Sequence, residues 1–322
     1  MIRVIIASLV LAALLLPVPA LAQEPADGII EGQVVNDTTG SVVGGVEVTL
    51  ITYIDDQLAD SVTAITGNDG SFVFDNINQE HTYLISAKYQ EVNYYYQVVF
   101  EPGETTAYVS AWVCEVTTID DAIRIGKALT VIKLEEESVV ITEVLWLFND
   151  GDRTLNGDDS VLLFTLPDGA KDFAAPQELI IDFVLMDNNR LTYLVPFPPG
   201  ERQLIYSYNL AKPNANEVSI PFTVDYPADS FEILISGEDI EVAVSRLAPA
   251  DPVFAEDGER FIHFEGANIT RSSIIEVNVA GLGTGPSVPL FVWIIIAAVV
   301  AGSITGYLVI RNAGKKANGS QD

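Results

Sequence analysis

The stretch GQVVNDTTGSVVGGVEVTL, residues 32–50, sets the reading of the whole chain. Between its turn residues the run alternates, most clearly at Val46, Val48 and Leu50, which is the period of a strand with one buried face, and almost nothing in it has a helical spacing. Asp37-Thr38-Thr39-Gly40 breaks the run with turn formers, and beyond it Val46, Val48, Leu50, Thr52 and Ile54 share a face. A second turn at Gly67-Asn68-Asp69-Gly70 leads into Phe72, Phe74 and Ile77. The alternation continues through Tyr83, Ile85, Ala87 and Tyr89, and then through Val92, Tyr94, Tyr96, Val98 and Phe100. A Pro102-Gly103-Glu104 turn precedes a last strand ending near Val113. Seven short strands over residues 28–113 predict a small antiparallel β-sandwich.

The opening run, followed by TGNDGSFVFDNI (66–77), TYLISAKY (82–89) and the Pro-Gly-Glu turn, resembles the carboxypeptidase regulatory-like domain. That family has a transthyretin-like, carbohydrate-binding-like fold, and the resemblance covers residues 28–113. The physical reasons for the pattern are visible in the residues. Gly32 and Gly45 fall where backbones pass closely or turn, and Asn68-Asp69-Gly70 supplies a tight turn feeding a Phe-x-Phe core strand. The resemblance implies an accessory module that accompanies a zinc peptidase. Zinc hydrolysis needs two or three well-placed His or carboxylate ligands, whereas this chain has His81 and His263 alone and no H-x-x-E or H-E-x-x-H. Relatives stapled by a Lys–Asn isopeptide need an early lysine, and the first here is Lys88. The expectation is a protein that is not an enzyme. The remaining catalytic alternative is a site built of carboxylates only.

Residues 118–280 continue in strands. ALTVIKLE and SVVITEVLWLFN flank Glu136-Glu137 as a hairpin whose second strand carries apolar side chains on both faces, the mark of a central strand. Further segments, among them SVLLFTL, ELIIDFVL, LTYLVPF, RQLIYSYNL and SIIEVNV, raise the expectation to about eleven strands in a larger immunoglobulin-like or jelly-roll-like sandwich. The fold class expected is therefore all-β: two tandem antiparallel β-sandwich domains.

The two ends of the chain read differently. Arg3, an apolar stretch from Val4 to Leu16, a Pro17/Pro19 break and Ala20-Leu21-Ala22 form a signal peptide over residues 1–22. Residues 281–289 form a Gly/Thr/Ser/Pro linker. The uninterrupted apolar run of residues 290–310 is 21 residues long, which at about 1.5 Å each crosses the roughly 30 Å of a bilayer core. Trp293 and Tyr307 mark its ends, and Arg311, Lys315 and Lys316 put the tail at 311–322 in the cytoplasm. The predicted location is the cell membrane, with a single pass and the N-terminal ectodomain outside. The chain carries 16 Lys and Arg against 45 Asp and Glu, a net charge of −29, which repels nucleic acid and anionic lipid headgroups and attracts basic partners or a diffuse cloud of divalent cations. Cys114 stands alone, so no intrachain disulfide staples the fold and apolar burial must carry it.

Three groups of residues are candidate sites. Asp150, Asp152, Asp158 and Asp159 gather hard oxygen ligands, either for calcium or as a plain acidic turn. If Val92, Tyr94 and Tyr96 face the core, Tyr95 points out, and by the same parity so do Tyr108 and Trp112. Those rings could stack on a glycan or pack against a protein, including the second domain. Gly302 and Gly306 form a G-x-x-x-G for helix association in the membrane run. The expected function is an exported, membrane-anchored surface protein that binds or supports a protein partner. The alternative is carbohydrate binding through the first domain.

Overall fold

The computed structural model describes residues 28–281 except 136, 158–159, 178, 187–188, 213–216, 238–239 and 256–257. The expected signal peptide, almost all of the linker, the membrane run with Gly302 and Gly306, the tail, and Asp158 and Asp159 lie outside the described residues.

Eight strands build the N-terminal part: β1 (Gly28–Asn36), β2 (Ser41–Val42), β3 (Glu47–Ile54), β4 (Gln57–Ile65), β5 (Ser71–Ile77), β6 (Thr82–Tyr89), β7 (Val92–Gln97) and β8 (Thr106–Val113). In one sheet β1 lies between β8 on one side and β5 and β2 on the other, and the second sheet has the order β4-β3-β6-β7. The inward residues of both sheets merge into one cluster, with Ile30, Val34, Val48, Ile85, Ala87, Ala111 and Val113 fully covered. Burial alternates along β1, β5 and β8 as the period-two reading requires.

The expectation of a wholly antiparallel arrangement is corrected. Strand β8 runs parallel to β1, from the Ile29↔Thr106 pair to Asn36↔Val113. The connection after β7 carries the chain back to the first sheet, where it arrives in the direction of β1. Alternation is the same for either direction, so the residues alone could not announce it.

Fifteen further strands follow: β9 (Val116–Thr117), β10 (Ile123–Leu134), β11 (Ser138–Asn149), β12 (Thr154–Leu155), β13 (Leu162–Thr165), β14 (Lys171–Ala174), β15 (Phe183–Met186), β16 (Arg190–Tyr193), β17 (Gly200–Ala211), β18 (Glu217–Thr223), β19 (Ala228–Ser236), β20 (Glu241–Val244), β21 (Ala248–Phe254), β22 (Arg260–Ile269) and β23 (Ile274–Ala280). They are more numerous than the eleven expected. ELIIDFVL opens not as a strand but as a 3-10 turn at Ile180–Asp182, because the Pro176 carbonyl accepts both the Leu179 and Ile180 amides. A seven-stranded sheet of order β14-β17-β11-β10-β19-β22-β21 forms one layer. Two three-stranded sheets, β13-β16-β15 and β18-β23-β20, supply the opposing residues of its core. Within the large sheet β10 and β19 are parallel, a second departure from the antiparallel expectation.

Strand β11 is central and buried on both faces. Val139, Ile141, Leu145 and Leu147 join the main core, while Val140, Val144 and Trp146 form a separate cluster with Leu129, Ile205 and Leu234. Cationic side chains lie across that second face: Arg124 sits 4.3 Å from the Phe148 ring centroid and Lys127 5.9 Å from that of Trp146.

Among the described glycines, Gly32 leaves the least room for a side chain. A Cβ there would lie 2.1 Å from the Val109 carbonyl oxygen and 2.5 Å from the Phe72 ring. Gly32→Ala must force β1 away from β8, and overpacking of this kind costs roughly 1–3 kcal/mol. We expect Gly32→Ala to lower the melting temperature by about 4–10 °C. An unchanged melting temperature would mean that β1 and β8 do not approach as described.

Candidate functional site

The residues between the two sandwiches form a network of directed hydrogen bonds. The Tyr94 hydroxyl donates to the Cys114 carbonyl at 3.1 Å and lies 2.7 Å from Thr154 Oγ1. The Thr154 amide donates to the Glu115 carbonyl, and β9 pairs with β12 through Val116↔Thr154. Thr38 Oγ1 accepts the Glu115 amide at 3.0 Å and donates to the Asp152 carbonyl at 2.5 Å. The Glu115 carboxylate receives Gln90 Nε2, the Tyr89 hydroxyl and Asn36 Nδ2, each at 2.7 Å. These bonds, led by that from Gln90, hold the Glu115 carboxyl below its ordinary range. Asn36 opens an Asn-Asp-Thr sequon, but its side chain is buried in this network.

This network fixes the walls of an open cleft of about 650 Å³ between the sandwiches. One wall is the β7 segment from Glu91 to Tyr96 with Trp112, Cys114 and Asp37 beside it, and the other is Val195, Pro196, Pro198, Pro199 and Arg202. The second wall is held from behind. Phe197 is buried and exchanges two 2.9 Å backbone bonds with Leu155, and Asn149 Nδ2 donates to its carbonyl. Arg202 stacks 5.1 Å from the Phe197 ring and 5.5 Å from the Tyr193 ring, while its Nη1 donates to the Tyr193 hydroxyl and the Pro196 carbonyl.

Two of the three expected aromatic residues are among those that line this cleft. Tyr95 is 61% exposed and Trp112 46% exposed, so neither packs away against the second sandwich. Tyr108 is as exposed as Tyr95 but is not among the lining residues. It sits four positions before Trp112 on the same face of β8, about 13 Å away along the strand. Tyr96 is fixed by donating to the Trp112 carbonyl, and burial pushes its phenol up to about 12. Cys114 is a free thiol at the cleft floor, raised by burial and by the neighbouring Asp37.

Of the acidic turn, Asp150 and Asp152 are among the described residues, and both have protein partners. Both carboxylate oxygens of Asp150 receive Arg124, at 2.5 and 3.3 Å, and the backbone carbonyl of Asp152 accepts the Thr38 hydroxyl. Among the described residues no three His, Cys, Asp or Glu converge as a metal cluster.

Two features escaped the sequence reading. The proline wall and Arg202 lie about a hundred residues from β7, and no local period links them. Glu143, in contrast, had a signal: it interrupts the apolar series Val139, Ile141, Leu145, Leu147 on the inward face of β11. Its carboxylate accepts the Tyr208 hydroxyl at 2.7 Å and the Tyr206 hydroxyl at 3.2 Å. Burial pushes its pKa up to about 7 despite those two bonds, and Asp225 adds to the rise. Asp225, itself raised by burial, takes the Thr165 amide and hydroxyl at 2.7 and 2.9 Å. With both oxygens of Glu143 engaged by phenols, the arrangement is an interior polar network that cross-links β11 and β17.

No family model matches this chain, and no curated protein matches it. Among solved structures, a "putative protease" from Parabacteroides distasonis ATCC 8503 is similar over 49% of this chain and 40% of its own, with 13% identity and a TM-score of 0.32. The match thus spans less than half of that protein's length.

The position of Glu143 sets a pH dependence. Its value in the folded chain lies above the ordinary 4.5, so between these values the folded chain holds a proton that the unfolded chain has released. The stability contributed is complete below about pH 4.5 and is lost as pH rises through about 7. We expect the difference in unfolding free energy between pH 4.5 and pH 8 to shrink by about 2–3 kcal/mol in Glu143→Gln. Equal pH slopes in the two proteins, measured by urea unfolding, would contradict this account.

Proposed function

We propose that this chain is an exported binding protein, tethered to the cell membrane by residues 290–310, that takes its ligand in the cleft between two tandem β-sandwiches. One observation carries the reading. Two large aromatic side chains, Tyr95 and Trp112, stay exposed beside a rigid wall of prolines and a stacked arginine. Exposing such rings costs hydrophobic free energy that a binding surface recovers when covered, and aromatic and arginine side chains are the usual anchors of such surfaces. The proposed role is non-catalytic. The likeness of residues 28–113 to a carboxypeptidase regulatory-like domain supports the same reading, because that module is an accessory in its family.

A protein partner at the cell surface is the first reading. A glycan is the second, favoured by the accessibility of Tyr95 and Trp112, since such rings can stack on sugars. In either case the apolar run of residues 290–310 serves as the tether, and a net charge of −29 disfavours nucleic acid as the ligand.

The test is co-purification from the native membrane. The tagged full-length protein is compared with a Tyr95→Ala, Trp112→Ala double variant of equal melting temperature. The wild type is expected to retain a partner or glycan that the variant loses by tenfold or more. Equal recovery by both proteins would remove the cleft as the binding surface.

A further inference from the structure

We infer that the cleft captures an extended peptide segment of another protein, neutral or basic in charge, which adds to the free edge of β7 as an extra strand. This rests on the binding role proposed for the cleft and names the class of its ligand. Strand β7 ends its sheet and, among the described residues, pairs only with β6. The β6–β7 turn has two residues, Gln90 and Glu91, at φ 47° and 62°, so Tyr89 and Val92 close it as a hydrogen-bonded pair. The parity then repeats along the strand, and the Val98 amide donating to the Tyr83 carbonyl at 3.1 Å keeps it. The main-chain groups of Val92, Tyr94 and Tyr96 are therefore turned to β6, and those of Asn93, Tyr95 and Gln97 are turned to the open side.

The open side is the cleft. Residues 91–96 line it consecutively, although their side chains alternate between the two faces of the sheet, so it is the strand's edge that borders the space. The neighbouring edge of β8 is closed in another way: the Tyr94 and Tyr96 hydroxyls cap the carbonyls of Cys114 and Trp112. Strand β7 has no such cap, no proline and no lysine, the usual guards of a free edge. The exposed strand β21, by comparison, carries Pro249 and Pro252. A strand lying along six residues of β7 would be about 20 Å long, with alternate side chains directed at Trp112 and the proline wall. Charge selects against an acidic peptide, because Asp37 and Glu91 outnumber Arg202, whose guanidinium is held by the Tyr193 hydroxyl and the Pro196 carbonyl, around the cleft of a chain with net charge −29.

The test uses twelve-residue peptides selected from a random display library against the full-length protein in detergent micelles. Their affinity is then measured by calorimetry. Tyr95→Pro deletes one outward amide and leaves the β6 ladder intact, and it is expected to weaken binding at least tenfold. N-methylation of alternate peptide amides is expected to weaken binding tenfold in one parity and leave the other unchanged. If Tyr95→Pro fails to fold, the N-methyl series decides alone. Selected peptides indifferent to both changes overturn strand addition. Should Trp112→Ala still weaken those peptides, the cleft stands as the binding site and only the pairing falls; should it not, the cleft reading falls as well. Recovery of no peptide, together with oligosaccharide binding that needs Trp112, also overturns the peptide and leaves the cleft.

Discussion

The position of the second sandwich relative to the first rests on the buried hydroxyl of Thr154. It lies 2.7 Å from the Tyr94 hydroxyl of the N-terminal sandwich, while its own amide is bonded to the Glu115 carbonyl of the connecting segment. A connection of a few residues would otherwise act as a swivel. Here it is a short strand, because Val116 and Thr117 pair with Thr154 and Leu155 and leave few backbone groups to rotate. Hydrogen bonds of this kind contribute only about 1 kcal/mol each, but leaving a buried partner unpaired costs about 1–3 kcal/mol, so their main effect is to penalise other orientations. Thr38 adds to that penalty, since its hydroxyl bonds the connecting segment and the second sandwich at once.

The cleft follows from that fixed angle. Its two walls come from distant parts of the chain, and each is stiffened by its own core: Tyr94 and Tyr96 are anchored on carbonyls of β8 and the adjoining residue, and Phe197 on β12. A groove with rigid walls loses little conformational entropy when it is filled, which is the physical advantage of preorganisation. A chain with a single cysteine has no disulfide to provide such stiffness. It relies on buried polar contacts and on two well-packed apolar clusters instead.

Much of the fold was legible because strand alternation is a direct record of burial. Val34, Val48, Ile85 and Val109 are inside where parity places them, and Tyr95, Tyr108 and Trp112 are outside. The double-sided apolar character of β11 marked it as central for the same reason. Strand direction was not legible, because β8 would show the same alternation in either sense beside β1. The pairing of Asp150 with Arg124 was not legible either, because the two lie 26 residues apart. Only half of the cleft could be foreseen: exposed rings on β7 and β8 are a local signal, whereas the proline wall becomes a wall only through the tertiary fold. The peptide edge depends on both, since β7 must be a strand and must also be left without a neighbour.

The central claim is that the two sandwiches hold one relative position and so present a formed cleft. Pulsed dipolar spectroscopy between spin labels on cysteines introduced at the exposed positions Ser61 and Glu201, with Cys114 left buried in place, measures this directly. The account predicts a single narrow distance distribution that broadens in Thr154→Val. A broad distribution in the wild type, unaffected by Thr154→Val, would contradict it.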